Sequence, residues 1–135
     1  MSSDRNDPLA RFKHIQRNAT TDDVAGLDVN KAYLAFDTGD RSQERLKIKR
    51  IKGETHSPSY RYLMDIMYNG DEGTQIVLVF SFLMVKITGR NMLSLVHSIE
   101  DGTCIFIQEF HAKNFPSPSP KDAVIDEIEV VVRKE

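Results

Sequence analysis

Five basic residues lie close together in the first half of the chain, and their side chains are suited to binding phosphate. This group, the basic strip, consists of Arg45, Lys47, Lys49, Arg50 and Lys52. The first three alternate with Leu46 and Ile48, so in a strand they project from one face. Such a face would bind the phosphates of a nucleic acid. The alternative is an edge strand whose lysines prevent edge-to-edge aggregation, and a pI of about 6.1 with no aromatic residue in the strip favours it.

Tyrosines recur at strand spacing in the segment 60–68. Tyr60, Tyr62 and Tyr68 share one predicted strand face with Met64 and Ile66. An open tyrosine face would stack bases or bind another ligand. Because apolar residues share this face, we favour the edge of the core or an interface with another subunit.

The only candidates for catalysis are Glu109 and His111, and the sequence signal for them is weak. They would lie on one side of a strand that begins at Cys104, where a carboxylate beside an imidazole forms an acid–base pair. This spacing is common by chance. The alternative is a surface pair at the end of the strand.

The single cysteine limits the chemistry of the chain. Cys104 excludes an intrachain disulfide and any zinc site with two thiolates. It alternates with Phe106 in a predicted strand, which indicates a small buried hydrophobe rather than a nucleophile. The four histidines include no pair at metal-ligand spacing within one element, so we expect neither a metal nor another cofactor.

The sequence motifs of common enzymes are absent. The chain contains no GxGxxG or GxxxxGK[ST] loop, no GxSxG elbow, no HExxH helix and no EF-hand loop. Their absence argues against an enzyme but leaves the question open.

The predicted elements that position these residues begin with a hairpin. The strand 60–68 and the apolar run 74–88 flank 69–73, which is rich in turn-forming residues. The part 76–87 is apolar on both faces. It is either a central strand covered on both sides or two strands joined by a bend near Ser81.

One helix is strongly predicted over residues 91–101. Asn91 is its expected cap, Gly102 its stop, and the apolar stripe between them has helical spacing: Met92, Leu95, Val96 and Ile99. A second, short helix is predicted over residues 8–17, where Leu9, Phe12 and Ile15 form a small apolar stripe. It would need a surface to dock on.

The composition is that of an ordinary globular protein, with 135 residues, of which 40% are apolar and 28% charged. We predict an N-terminal helix and connector over residues 1–30 and a single α+β domain over residues 31–135. The domain is expected to contain a mostly antiparallel twisted sheet, or a partly closed barrel or roll, of about six strands with one packed helix. The lone cysteine, the absence of a leader and the shortness of the apolar run predict a cytoplasmic protein with no membrane association.

Three functional hypotheses remain. The first is a non-catalytic binding or assembly module that forms a homo-oligomer or binds another protein, in which Tyr60 and Tyr62 contribute to the interface. The second is a nucleic-acid-binding module that uses residues 45–52, which we do not favour. The third is a small enzyme with the pair Glu109 and His111.

Overall fold

The computed structural model describes residues 32–70 and 73–133. The predicted helix over residues 8–17 and the connector that follows lie outside the described residues. The chain separates into two compact units, of which the larger consists of Tyr33–His111 and Pro118–Glu135. The smaller consists of Met1–Ala32 and Ala112–Ser117, and its described part contains a turn at residues 112–114. All elements below belong to the larger unit.

The larger unit contains two open β-sheets and one α-helix within its described residues. Three strands form a mixed sheet in the order β1-β6-β2, and four form an antiparallel sheet in the order β3-β4-β5-β7. The strands are β1 Phe36–Thr38, β2 Lys47–Lys49, β3 Leu63–Tyr68, β4 Gln75–Phe80, β5 Leu83–Arg90, β6 Cys104–Gln108 and β7 Val124–Val132, and the helix is α1 Leu93–Glu100. The predicted α+β class is therefore confirmed, and the sheets do not close into a barrel.

The apolar run 76–87 is two strands, as one of the two sequence-based alternatives predicted. Ser81 and Phe82 connect β4 to β5 in a hairpin, and Val79 pairs with Met84. Every second side chain of β4 is buried, because one face of the sheet covers the core. These core residues are Ile76, Leu78 and Phe80.

Helix α1 buries the predicted apolar stripe, with Leu95, Val96 and Ile99 inaccessible to solvent. The prediction that Asn91 caps the start of this helix was wrong. Asn91 adopts a positive φ of 56°, and its side-chain amide donates to the carbonyls of Pro120 and Asp122, so it cannot cap the helix. The helix ends at Glu100, and the predicted stop residue, Gly102, follows it with a φ of 74° that suits glycine.

The side chains of Tyr33 and Glu109 connect β7 to the three-stranded sheet. The Tyr33 side chain makes two of these contacts. Its hydroxyl donates to the carbonyl of Gln108 and accepts the amide of Ile125 at 3.0 Å. The amide of Phe110 also donates to the carbonyl of Ile125 at 2.8 Å. These bonds occupy backbone groups that β7, at the end of its sheet, does not share with β5.

β2 is an end strand of its sheet, as the edge-strand interpretation of the basic strip predicted, but its outer side is not open. β2 pairs with β6 on one side, and on the other the amides of Leu46 and Ile48 donate to the carbonyls of Pro58 and His56. Both sides of β2 are thus hydrogen-bonded, so its lysines do not protect an open edge. The sequence around residues 56–59 lacks a strand pattern, and for that reason this pairing was not predicted.

Candidate functional site

The basic strip divides into two parts in the structure. Arg45 and Lys47 are exposed, while the intervening Leu46 is fully buried. Lys49 lies on the same face, with its Nζ 4.0 Å from the centre of the Phe106 ring. The fold thus places an aromatic residue from β6 beside basic residues whose own segment contains none.

The other two residues of the strip follow β2 in a turn. Arg50 is half-buried, and its Nη2 donates to the carbonyl of Glu54 at 3.2 Å. Gly53, at a φ of 94°, packs so closely on this guanidinium that a Cβ would lie 2.7 Å from Nη2. Arg50 is therefore part of the turn, whereas Lys52 is exposed.

The predicted tyrosine face is not a single face. Tyr60 and Tyr62 belong to a 3₁₀ turn, Tyr60–Tyr62, that precedes β3, and Tyr68 ends that strand. The Tyr60 hydroxyl donates to the carbonyl of Cys104 at 2.7 Å. Tyr62 is 44% exposed and makes an edge-to-face contact with Phe82, with ring centres 5.7 Å apart. Strand alternation does not apply in a 3₁₀ turn, so the sequence pattern was misleading here.

A cleft of about 480 Å³ brings together residues from two of the predicted sites. It is lined by residues 43–45 and 59–62. These two segments are neighbours because Arg45 and Ser59 form an antiparallel bridge and the amide of Tyr60 donates to the carbonyl of Glu44. The cleft contains Arg45, Tyr60 and Tyr62 from the predictions, and Arg61, which sequence reasoning did not identify.

Glu109 has a structural use that its sequence context did not indicate. One carboxylate oxygen accepts the amide of Ile51 and the other accepts the amide of Ile128, at 2.6 Å each. Both carboxylate oxygens thus accept backbone amides, one from the turn after β2 and one from β7. The acid–base pair with His111 stays a prediction. In the structure, the Glu109 carboxylate accepts hydrogen bonds from the amides of Ile51 and Ile128.

Cys104 is buried, as its strand pattern predicted. Burial raises the pKa of its thiol from 9.0 to about 11, although hydrogen bonds to Ser98 and Phe106 oppose this shift. The thiol therefore remains protonated at neutral pH, and a protonated thiol is a poor nucleophile.

One surface was not recognised from the sequence. The outer face of the four-stranded sheet, opposite the core, carries two rows of paired residues, of which five of the eight are apolar. These rows are Met67–Val77–Lys86–Glu129 and Asp65–Val79–Met84–Val131. Val77, Val79 and Met84 are half-buried, and Val131 is 41% exposed. The signal in the sequence was the run 76–87, whose apolar residues point to both faces.

Neither a cluster of metal-ligating side chains nor a membrane-spanning helix occurs among the described residues. These residues include no group of three or more histidine, cysteine, aspartate or glutamate side chains arranged to hold a metal ion. None of their helices is long and apolar enough to cross a membrane.

Comparison with known proteins adds no assignment to this picture. The chain matches no protein-family model, no curated protein and no solved structure. The fold described above is that of an α+β domain with two sheets.

Proposed function

We propose that this domain is a non-catalytic assembly module that self-associates through the outer face of its four-stranded sheet. The observation that carries the proposal is the composition of β4. Ile76, Leu78 and Phe80 point into the core, while Val77 and Val79 point away from it. Strands that are apolar on both faces are typical of sheets covered on both sides.

The size of the face supports a weak, reversible association. Strands about 4.8 Å apart and outward residues about 6.8 Å apart give the two rows an area of roughly 260 Å². Two such faces would bury roughly 520 Å² before their rims are counted, which is well below the usual ~1,200–2,000 Å² of stable complexes. We therefore expect a dimer whose population depends on concentration.

The charges at the rim favour a second copy of the chain as the partner. In a two-fold symmetric interface the same patch meets itself, so it must carry groups that attract each other. Lys86 pairs with Glu129 across the outer face, and Asp65 lies in the adjacent row. The patch thus contains both signs of charge, as self-complementarity requires.

Two neighbouring valines provide a matched test. Val131 points to the outer face, whereas Val132, which is 56% exposed, points to the other side of β7. In sedimentation experiments over a wide concentration range, we expect the unmodified chain to dimerise, Val131→Lys to remain monomeric and Val132→Lys to dimerise normally. A strictly monomeric unmodified chain, or equal behaviour of the two variants, would reject the proposal.

A second candidate function is nucleic-acid binding by Arg45, Lys47 and Lys49. The contact of Lys49 with the half-buried Phe106 favours it, because an aromatic ring beside basic side chains is a feature of proteins that bind single strands. The double variant Lys47→Glu and Lys49→Glu should fold but lose salt-dependent retention of DNA and RNA oligonucleotides on filters. Lys121→Glu, an exposed residue outside the strip, is the control. Failure of the unmodified chain to retain either nucleic acid at low salt would exclude this candidate.

A further inference from the structure

The cleft between residues 43–45 and 59–62 is a concave site with an excess of positive charge and an aromatic wall. We propose that it binds a phosphate ester of mononucleotide size, with the phosphate between Arg45 and Arg61 and the flat ring against Tyr62. This inference does not require self-association or nucleic-acid binding, although the cleft shares Arg45 with the basic strip.

The two arginines of the cleft differ in whether their guanidinium groups are held by hydrogen bonds to the rest of the chain. Arg45 is held in place because its Nη1 donates to the carbonyl of Ser57 at 2.7 Å, which leaves its other guanidinium N–H groups for a ligand. The Arg61 side chain has no hydrogen bond or ion pair within the described residues, and it is exposed. Its backbone is fixed, since its amide donates to Ser59 Oγ at 3.2 Å. Guanidinium groups match phosphate geometry, and two of them balance the charge of a phosphate monoester.

The tyrosines define the rest of the cleft. The Tyr60 hydroxyl is engaged by the carbonyl of Cys104, so this side chain forms a fixed wall rather than a donor to a ligand. Tyr62 is braced on one side by its edge-to-face contact with Phe82 and remains partly exposed. A partly exposed and braced ring is well suited to contact a planar ring of a ligand.

The remaining polar groups restrict the ligand further. Glu44 is the only acidic residue that lines the cleft within the described part of the chain, and as a carboxylate it can only accept hydrogen bonds. A ligand with hydroxyl donors, such as a ribose, satisfies this group, whereas a bare anion does not. The volume of about 480 Å³ lies within the usual range for sites that bind small molecules.

The test titrates the full chain with adenosine 5′-monophosphate and uridine 5′-monophosphate by calorimetry and by amide chemical shifts. We expect both to bind, with adenosine and inorganic phosphate each binding more weakly. Arg61→Gln should weaken binding of both nucleotides roughly 10- to 100-fold, because it removes charged hydrogen bonds from an exposed residue that the fold does not need. Tyr62→Leu should weaken the nucleotides while leaving inorganic phosphate unchanged.

Arg90→Gln is the matched control for charge. Arg90 ends β5, whose other end follows Phe82, so it lies roughly 24 Å from the aromatic wall. Its replacement should leave nucleotide affinity unchanged. Equal affinities of Arg61→Gln and Arg90→Gln, or no binding of either nucleotide at millimolar concentration, would overturn the proposal. Oligonucleotide binding that is lost in the Lys47 and Lys49 double variant while mononucleotides fail to bind would support the basic strip and reject the cleft.

Discussion

The Glu109 carboxylate joins three separate parts of the chain. Glu109 follows β6, the amide of Ile51 lies in the turn after β2, and the amide of Ile128 lies in β7. Hydrogen bonds to an ionised acceptor are stronger than bonds between neutral groups, because the charge attracts the donor. The carboxylate that the sequence suggested as one member of an acid–base pair thus accepts hydrogen bonds from the amides of Ile51 and Ile128.

The first prediction is that Glu109→Gln destabilises the fold by about 1.5–3 kcal/mol. Glutamine retains one acceptor oxygen but presents an NH₂ group to the second backbone amide, which leaves that amide without an acceptor. Urea unfolding measures the change. Glu127→Gln is the control, because Glu127 is exposed on β7. A loss for Glu109→Gln no larger than that of the control would mean that the two bonds contribute little.

The second prediction concerns alkaline stability. Burial raises the pKa of Cys104 from 9.0 to about 11 and that of Tyr33 from 10.0 to about 12, and it also raises the pKa of Tyr60. The unfolded chain therefore loses these protons first. The contribution of these three groups to stability should be constant below about pH 9 and be lost as the pH rises through 9–12.

Cys104→Ala separates the contributions. Relative to its own stability at pH 8, this variant should begin to lose stability only above about pH 10, where the tyrosines alone are affected. Urea unfolding at several pH values measures the onset. An unchanged onset at about pH 9 would show that Cys104 does not cause the first loss.

Elements formed by neighbouring segments were predicted most accurately. The hairpin of β3 and β4 and helix α1 depend on residues close together in the sequence, so local patterns indicate them, whereas the turn into β5 was one of two alternatives. The parallel pairing of β2 with β6 joins residues 47–49 to residues 106–108, and no local signal encodes a partner so distant. The cleft depends on the bridge between Arg45 and Ser59, which explains why Arg61 was not recognised as a site residue.

The third prediction is that Leu95→Ala destabilises the protein by about 2–5 kcal/mol. Leu95 is fully buried in α1, so truncation removes apolar contacts and leaves a cavity. Thermal and urea unfolding measure the effect. His97→Ala, on the exposed side of the same helix, is the control and should change stability by less than about 1 kcal/mol. Similar effects for the two variants would contradict the assigned helix face.

At the scale of the larger unit, Tyr33 and Glu109 hold the start of β7, and the hydrogen bonds from residues 56–58 cover β2. Among the described residues, the surfaces that carry the two main proposals are the outer face of the four-stranded sheet and the cleft beside the 3₁₀ turn. Val131 lies on the first and Arg61 in the second, and no residue that carries one proposal also carries the other. Distinct sites without shared residues usually act independently.

The fourth prediction follows from this separation. If dimerisation uses the outer face and leaves the cleft unchanged, nucleotide affinity should be the same at protein concentrations below and above the dimerisation midpoint. The monomeric Val131→Lys variant should bind adenosine 5′-monophosphate as tightly as the unmodified chain, and saturating nucleotide should leave the dimerisation constant unchanged, because linkage is reciprocal. Calorimetry and sedimentation performed on the same samples measure both quantities. An affinity that changes more than about threefold with protein concentration would show that the two surfaces are coupled, and the dimer interface would then have to extend from Val131 toward Phe82 and Tyr62.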